Sequence, residues 1–483
     1  MSAPSTTTSP DGWLSQPPPD GSSAEQIGLV IVWSYSEPGR LGEVAFLPVA
    51  SGPALLGRGP GEPGDPAPRL RFVRQRPGGE QPTPPLEGPA LSRAQLLLDP
   101  GIDAVRMERL GRCRTLVRGE PVDRAVVRPG DQIFLDGELL LFCVERPRRL
   151  PAPGGSAPAH AFGEADAHGL VGESPTAWAL RERVHFVGPR EPHVLVLGET
   201  GTGKELVARA LHARSPRARR PLISRNAATF PPGLIDAELF GNARNYPNPG
   251  LAERPGLLGE ANGSTLFLDE IGEMPPELQA HLLRVLDAGG EYQRLGEANV
   301  RTTDVRLVAA TNRPSSALKH DFLARLQLTI TVPGLDARRE DIPLLARHFL
   351  RRIAAADPAL AGRFFSKEGG ALEPRVSPLL MSELVRHTYT RHVRELQALL
   401  WAAIASSPRN FLDLTSEVRA LLAPAPPTVD RSAPPTAEEI RACLERCDGS
   451  VSRAYRELAL SSRDALYRLM KKHGVPVKRG EGE

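Results

Sequence analysis

The apolar residues of this chain change rhythm twice. From residue 27 to about 145 they come in short runs broken by turn residues: IGLVIVW, EVAFLPV, QLLLD, RTLVRG and QIFLDGELLLFCV. Runs of that length between Gly, Pro and Asp clusters predict the strands of a small all-β domain. Within it, residues 59–88 are rich in Pro, Gly and Arg and read as one long loop. From 168 to about 420, strand-like runs (VLVLG, TLFLDE, VRLVAATN) alternate with helical patterns (ELVARALHA, PELQAHLLRVLDAG). That alternation predicts helices packed on a parallel sheet. The stretch after residue 436 reads as three short helices.

Length agrees with this division: 483 residues, at roughly 100–200 residues per domain, suggest about three domains. The expected boundaries are a disordered Ser/Thr/Pro-rich tail at 1–25, a β domain at 26–146 and a linker at 147–167. An α/β domain follows at 168–422, with a helical lid over about 336–422, then a proline-rich linker at 423–436 and a helical domain at 437–483. A hydrophobic content of 40% excludes wholesale disorder, and a net charge of +3 is neutral on nucleic-acid binding. Four Cys are too few for a disulfide framework. Cys443 and Cys447 lack a second pair to complete a zinc site and read as neighbours on one helix turn. The start, MSAPSTTTSPDGW, lacks the pattern of a signal peptide, and Ile27 to Trp33 is too short to span a bilayer. A cytoplasmic protein without membrane contact is expected.

The strongest chemical signal is HVLVLGETGTGKELVARALHA. A buried strand runs into Gly198, Glu199, Thr200, Gly201, Thr202, Gly203, Lys204 and Glu205, and a helix starts at once. Glycines let several backbone N–H groups converge on phosphate oxygens, and the helix N-terminus adds partial positive charge. Lys204 would reach the β and γ phosphates. Further on, Thr265-Leu-Phe-Leu-Asp269-Glu270 is an apolar strand ending in two carboxylates. Asp269 is placed to hold Mg²⁺, and Glu270 to polarise a water attacking the γ phosphate of ATP. A third strand ends in Thr311-Asn312, which brings an amide toward the same phosphate.

Together with AELFGN, GSTLFLDEIGEMPPELQAHLLRVLD, VRLVAATNR and ARREDIPLLARHFL, these segments resemble the AAA+ ATPase domain of bacterial enhancer-binding proteins, the activators of sigma-54 RNA polymerase. The resemblance covers about 168–405 and accounts for Glu205 after the lysine. It implies that Asn226 senses the γ phosphate through Glu270, that Asn312 is the first sensor, and that Arg325 reaches into a neighbouring subunit's ATP. It further implies that Arg394 is the second sensor, and that the active form is a ring, typically a hexamer. Three segments depart from the family pattern. The loop that grips the sigma factor, GAFTGA, is replaced by Asn245, Tyr246, Pro247, Asn248, Pro249 and Gly250. Lys319 stands where the family has the first arginine of its FR-x-D-L segment, and Tyr389-Thr-Arg-His392 stands for WPGN.

The β region resembles a forkhead-associated domain, a phosphothreonine reader. Leu56-Gly57-Arg58 matches its first motif, and Leu91-Ser92-Arg93-Ala94-Gln95 matches its Ser-Arg-x-His with Gln for His. Arg58 and Arg93 would give charge-assisted hydrogen bonds to phosphate, and Ser92 a hydroxyl donor. Cys113-Arg114 stands where the family has Asn-Gly. The last stretch resembles a Fis-type helix-turn-helix, with Ser461, Ser462, Arg463, Tyr467, Arg468, Lys471 and Lys472 on or near the recognition helix. Residues 451–480 hold eight basic residues against Glu457 and Asp464, a local surplus suited to phosphate contacts. Tyr467 reads equally well as core or as surface.

The expected architecture is thus multidomain: an all-β sandwich of forkhead-associated type, an α/β AAA+ P-loop ATPase with a helical lid, and an all-α helix-turn-helix. The expected function is ATP-dependent transcription regulation from DNA upstream of promoters. Expected partners are double-stranded DNA, sigma-54 polymerase, a phosphothreonine protein, and the chain itself as dimer and ring. Two readings stay open. In one, ATP turnover remodels the polymerase. In the other, ATP sets only the oligomeric state, and the protein regulates or represses through another partner.

Overall fold

The computed structural model describes residues 25–152, 154, 158–230, 233–287, 289–368, 371–423, 436–447, 451, 454, 455, 458 and 463–475. The expected tail before Glu25, nearly all of the 423–436 linker, and Ser461 and Ser462 lie outside the described residues. The chain divides into two units between Leu422 and Ala423.

The first unit opens with two antiparallel sheets. One has eight strands, with Glu25–Ser34 and Leu139–Pro147 paired at its centre; the other has four, from Ala54–Leu56 to Arg124–Val127. The interval read as a single loop at 59–88 instead contains two strands, Val73–Arg76 and Gly79–Pro82, which extend the edge of the large sheet. Their sequence, VRQR and GEQP, is mostly polar, because an edge hairpin needs little apolar surface. The run from Ile27 to Ser34 is buried at every position rather than at alternate ones. A strand covered on both faces loses the polar half of its pattern. The second cover is partly the helical lid of the α/β domain: Trp33 Nε1 donates to Val376 O at 2.8 Å, and one apolar core holds both sandwich and lid residues.

The central domain is a five-stranded parallel sheet. In chain order its strands are β1 (Val194–Leu197), β2 (Ile223–Asn226), β3 (Thr265–Asp269), β4 (Arg306–Thr311) and β5 (Leu328–Thr331). Their spatial order is β2-β3-β4-β1-β5. Helix α1 (Pro175–Val187) precedes the sheet, and α2 (Lys204–Ala213) follows β1. The lid contributes α3 (Ile342–Ala356), α4 (Pro378–Arg386) and α5 (His392–Ser406), with a hairpin of Phe365–Glu368 and Ala371–Pro374 between α3 and α4. Ser-Pro pairs start α1 and α4. Ser174 Oγ accepts from Ala177 N–H, Ser377 Oγ accepts from Leu380 N–H, and a proline follows each serine. This combines a side-chain cap with a residue that lacks the N–H a first turn would leave unbonded.

Sandwich, sheet and lid meet at one buried cluster. Asp341, at the start of the lid and 1% exposed, accepts from Glu173 N–H (2.7 Å), Ser174 N–H (2.9 Å) and Ser174 Oγ (2.6 Å). The Glu173 carboxylate accepts from Gly163 N–H, Trp178 Nε1 and Arg76 Nε. Arg76 comes from the sandwich's edge hairpin. Arg146, at the sandwich's last strand, donates to Glu173 O at 3.0 Å. Burial pushes the carboxyls of Glu340 and Asp341 up and the guanidinium of Arg146 down, each opposed by its neighbours of opposite charge. The proline-rich stretch expected as a linker therefore packs against the α/β domain and its lid where it is described. His160 stacks on Trp178, and Arg351 pairs with Glu164.

The second unit holds helices Ala437–Arg446 and Arg463–His473 around Ile440, Cys443, Cys447, Ala454, Leu458, Leu466, Met470 and Val475. Both cysteines thus serve its apolar core. Tyr467, Arg468, Lys471 and Lys472 lie exposed on the face away from Leu466 and Met470, which settles Tyr467 as a surface residue.

Asp341→Ala would leave three buried donors without their acceptor. Its expected cost is about 3 kcal/mol or more of stability, read as a lower denaturant midpoint with an unchanged slope.

Candidate nucleotide site

In an open parallel sheet, ligands sit beyond the carboxyl ends of the strands. Here β1, β3 and β4 end side by side at the phosphate-loop sequence, at Asp269-Glu270 and at Asn312. Gly201 (φ +85) and Gly203 (φ +105) occupy the left-handed region, which side chains with a Cβ seldom adopt. They turn the backbone from β1 into the first turn of α2. Thr202 Oγ1 donates to Glu199 O at 2.9 Å and closes the loop. Lys204 is buried; its Nζ donates to Gly198 O at 2.9 Å and lies 3.5 Å from Glu270 Oε1.

Glu270 itself has φ +52. For a non-glycine residue that backbone is strained, and such strain persists where the surroundings impose it. The turn brings the Glu270 carboxylate between Lys204 and Asn312. Asn312 N–H reaches Glu270 Oε2 at 3.4 Å, and Asn312 Nδ2 donates to Thr200 Oγ1 at 3.1 Å. Asp269 accepts from Glu270 N–H at 3.0 Å. Burial raises the Asp269 carboxyl above the usual carboxylate range; the charge of Glu270 adds to this and that of Lys204 opposes it. A carboxylate beside the loop lysine is the oxygen chemistry that a hard divalent cation takes, together with phosphate oxygens.

The remaining expected residues stand as follows. Asn226 lies level with Asp269 across the β2–β3 pair, and its Oδ1 accepts from Ala228 N–H. No hydrogen bond joins it to Glu270 among the described contacts. Glu205 is on the first turn of α2, paired with Arg209 at 2.6 Å. Arg325 is half-exposed and pairs with Asp287 of its own chain at 2.5 Å. Lys319 is exposed. Arg394 is exposed on α5, its Cβ 3.3 Å from the point where a Cβ on Gly201 would stand.

The loop at 242–255 folds back on itself. Asn242, buried, donates through Nδ2 to Ala243 O, Tyr246 O and Ala252 O at 2.9, 3.3 and 3.1 Å. Asn245 Oδ1 accepts from Gly250 N–H at 2.9 Å. The ring of Tyr246 rests on Gly296 in the neighbouring hairpin, where a Cβ would come within 2.4 Å of it. Tyr246 stays 42% exposed, and Pro247, Asn248, Pro249 and Gly250 are exposed beside it. Asn242 carries no motif of its own; only its place directly after ELFG marked it.

On the sandwich, Arg58, Ser92 and Arg93 are drawn together by Gly57. A Cβ there would fall 1.7 Å from Arg93 O, so only glycine fits. Arg58 N–H donates to Ser92 O at 3.0 Å. Ser92 Oγ accepts from Arg112 N–H at 2.9 Å, and exposed Arg93 pairs with Glu62 at 2.5 Å. Gln95 is 0% exposed, accepts from Ser92 N–H and Cys113 N–H, and donates to Cys113 O. It ties the two loops at this end of the sandwich together.

Residues 170–332 match the sigma-54 interaction domain family. The transcriptional regulatory protein ZraR of Klebsiella oxytoca is 36% identical over 315 residues, 62% of this chain and 68% of that protein. The Nif-specific regulatory protein of Azotobacter vinelandii is 36% identical over 323 residues, 62% of this chain and 58% of that protein. Among solved structures, NtrX from Brucella abortus in complex with ATP is 31% identical, covering 63% of this chain and 69% of that one with a TM-score of 0.44. Among the described residues no helix is long and apolar enough to cross a membrane. With an all-β sandwich ahead of an AAA+ ATPase domain and a helical bundle behind it, the chain belongs to the family of sigma-54-dependent transcriptional regulators.

Proposed function

We propose that this chain regulates transcription by binding and hydrolysing ATP in a ring held on DNA, and that its sandwich reads a phosphothreonine signal. The observation that carries the reading is the convergence of Lys204, Glu270, Asn312 and Thr200 within hydrogen-bonding and ion-pairing distance at three strand ends. Backbone N–H groups from Gly198 to Glu205 would wrap the phosphates, with Lys204 on the outer ones. Asp269 would hold Mg²⁺, which supplies charge neutralisation on the phosphates when bound. Glu270 accepts the proton of the attacking water, and Asn312 holds the Glu270 carboxylate in place. Asn226, Arg325 and Arg394 are assigned as γ-phosphate sensor, donor to a neighbouring subunit and second sensor. The exposed face with Tyr467, Arg468, Lys471 and Lys472 supports duplex DNA as partner, through phosphate contacts first.

Glu270→Ala is expected to keep ATP affinity while turnover falls about 100-fold or more, the range a positioned base supplies. Fluorescent-nucleotide titration beside steady-state hydrolysis checks it, and an unchanged turnover removes Glu270 from the role.

For the sandwich, the presence of Arg58, Arg93 and Ser92 on two strand-end segments joined by the Arg58 N–H to Ser92 O bond supports phosphate recognition. A phosphothreonine peptide library should give binding that Arg58→Ala abolishes and that the unphosphorylated peptides lack. If Arg58→Ala binds as wild type does, the sandwich is a docking surface only.

The closed form of the 242–255 loop favours a second reading, in which the ring does not engage sigma-54. Open-complex formation on a sigma-54 promoter, with purified protein, ATP and its DNA site, separates the two. Open complexes support polymerase remodelling; intact ATPase without them supports regulation through another partner. Gly296→Val, which displaces Tyr246, should loosen the loop, so that trypsin cuts faster after the already exposed Arg244 and Arg254, and should change that outcome without changing ATP affinity.

A further inference from the structure

We propose that His392 is a positioning residue for ATP turnover: its imidazole ties the phosphate-binding loop to the lid and so fixes where Arg394 stands. The proposal rests on the nucleotide-site reading above. His392 is the first residue of α5, with φ +46, a backbone region in which histidine is more common than most side chains. Its ring is buried and spans two elements. Leu335 N–H, at the entry to the lid, donates to Nδ1 at 3.3 Å, and Nε2 lies 3.1 Å from Glu199 Oε2.

The tautomer follows from these partners. A backbone N–H can only donate, so Nδ1 carries no proton, and Nε2–H donates to Glu199. The ring fits because residue 334 is glycine: a Cβ there would stand 2.5 Å from His392 Cε1. On either side of the ring the backbone makes the same connection. Val393 N–H donates to Gly201 O at 3.1 Å, and a Cβ on Gly201 would meet Arg391 O at 2.2 Å. Arg394 follows directly, its Cβ over Gly201. Asparagine is the family residue at position 392 in the WPGN pattern; histidine here takes the left-handed backbone and reaches Glu199.

Glu199 is 72% exposed on its side chain, so the bond contributes little to overall stability. Its effect is geometric. It registers the lid on the phosphate loop, and a misplaced arginine beside reacting phosphates costs rate more than affinity.

The test is a double-mutant cycle on the full chain, with His392→Ala, Glu199→Ala and the pair, read as kcat and KM for ATP beside the melting temperature. Each single variant should lose about tenfold in kcat with KM within about twofold, and the pair should lose no more than either alone. Glu199→Gln, which keeps an acceptor, should recover most of the Glu199→Ala loss. Additive losses, or full kcat in Glu199→Ala, overturn the proposal. Glu199 lies on the surface, so its variants keep the cycle informative even where His392→Ala folds poorly. Nucleotide binding by wild type that Lys204→Ala abolishes tests the site itself. Failure there removes both readings, while binding with an additive cycle removes this one alone.

Discussion

Asp341 and Glu173 are the constraint on which the arrangement of the first unit depends. Two carboxylates buried this deeply are tolerated only when every oxygen has donors and nearby positive charge. The donors to these carboxylates come from three places: the start of α1, the strap of chain that follows the sandwich, and the sandwich's own Arg76, while Arg146 adds a bond to the main-chain carbonyl of Glu173. Removing any one of these bodies strands charge in the interior. The sandwich therefore belongs to the same folding unit as the ATPase. It also touches the lid directly, through Trp33 to Val376 and through Gln132 to Ser382. It thus holds both sides of the segment that joins sheet to lid, and any shift of lid against sheet must strain the sandwich's contacts.

That coupling bears on how the site is built. Backbone groups of α5 meet the phosphate loop at Gly201, and a side chain of α5 meets it at Glu199. The lid is in turn fixed to the sandwich at α4. One shared apolar core joins the sandwich to the lid, with members from Ile27 to Val418. Continuity of packing is a condition for coupling, and coupling itself is a difference between two states.

The strand ends that make up the candidate nucleotide site were legible because their signals are local. A strand, its turn and the next helix carry Gly198 to Glu205; one strand end carries Asp269 and Glu270; one turn carries Asn312. Each can be read within a window of about ten residues, the scale on which periodicity and turn chemistry speak. What escaped was set by distant partners. Val73–Arg76 looked like loop because its arginines serve Glu43 and Glu173 rather than a solvent face. His392 read only as a departure from a pattern, since its two partners lie 57 and 193 residues away. Asn242 was marked only by its place after ELFG, because an asparagine that organises a loop looks the same in sequence as one that decorates it.

The 242–255 loop shows what such a residue holds together. Its backbone and side-chain groups satisfy one another: Asn242 bonds three carbonyls, Asn245 bonds Gly250, and Arg254 pairs with Asn242 on both backbone groups. Extending the loop toward a partner breaks this set, and each carbonyl that Asn242 releases must find water or a new donor. Presenting the exposed edge of Tyr246 and the flanking prolines as they stand breaks nothing. The two readings of the chain's action thus differ in one physical respect. Polymerase remodelling by loop extension requires nucleotide turnover to supply the free energy of opening, whereas docking through the folded loop requires only that the loop remain as Asn242 holds it.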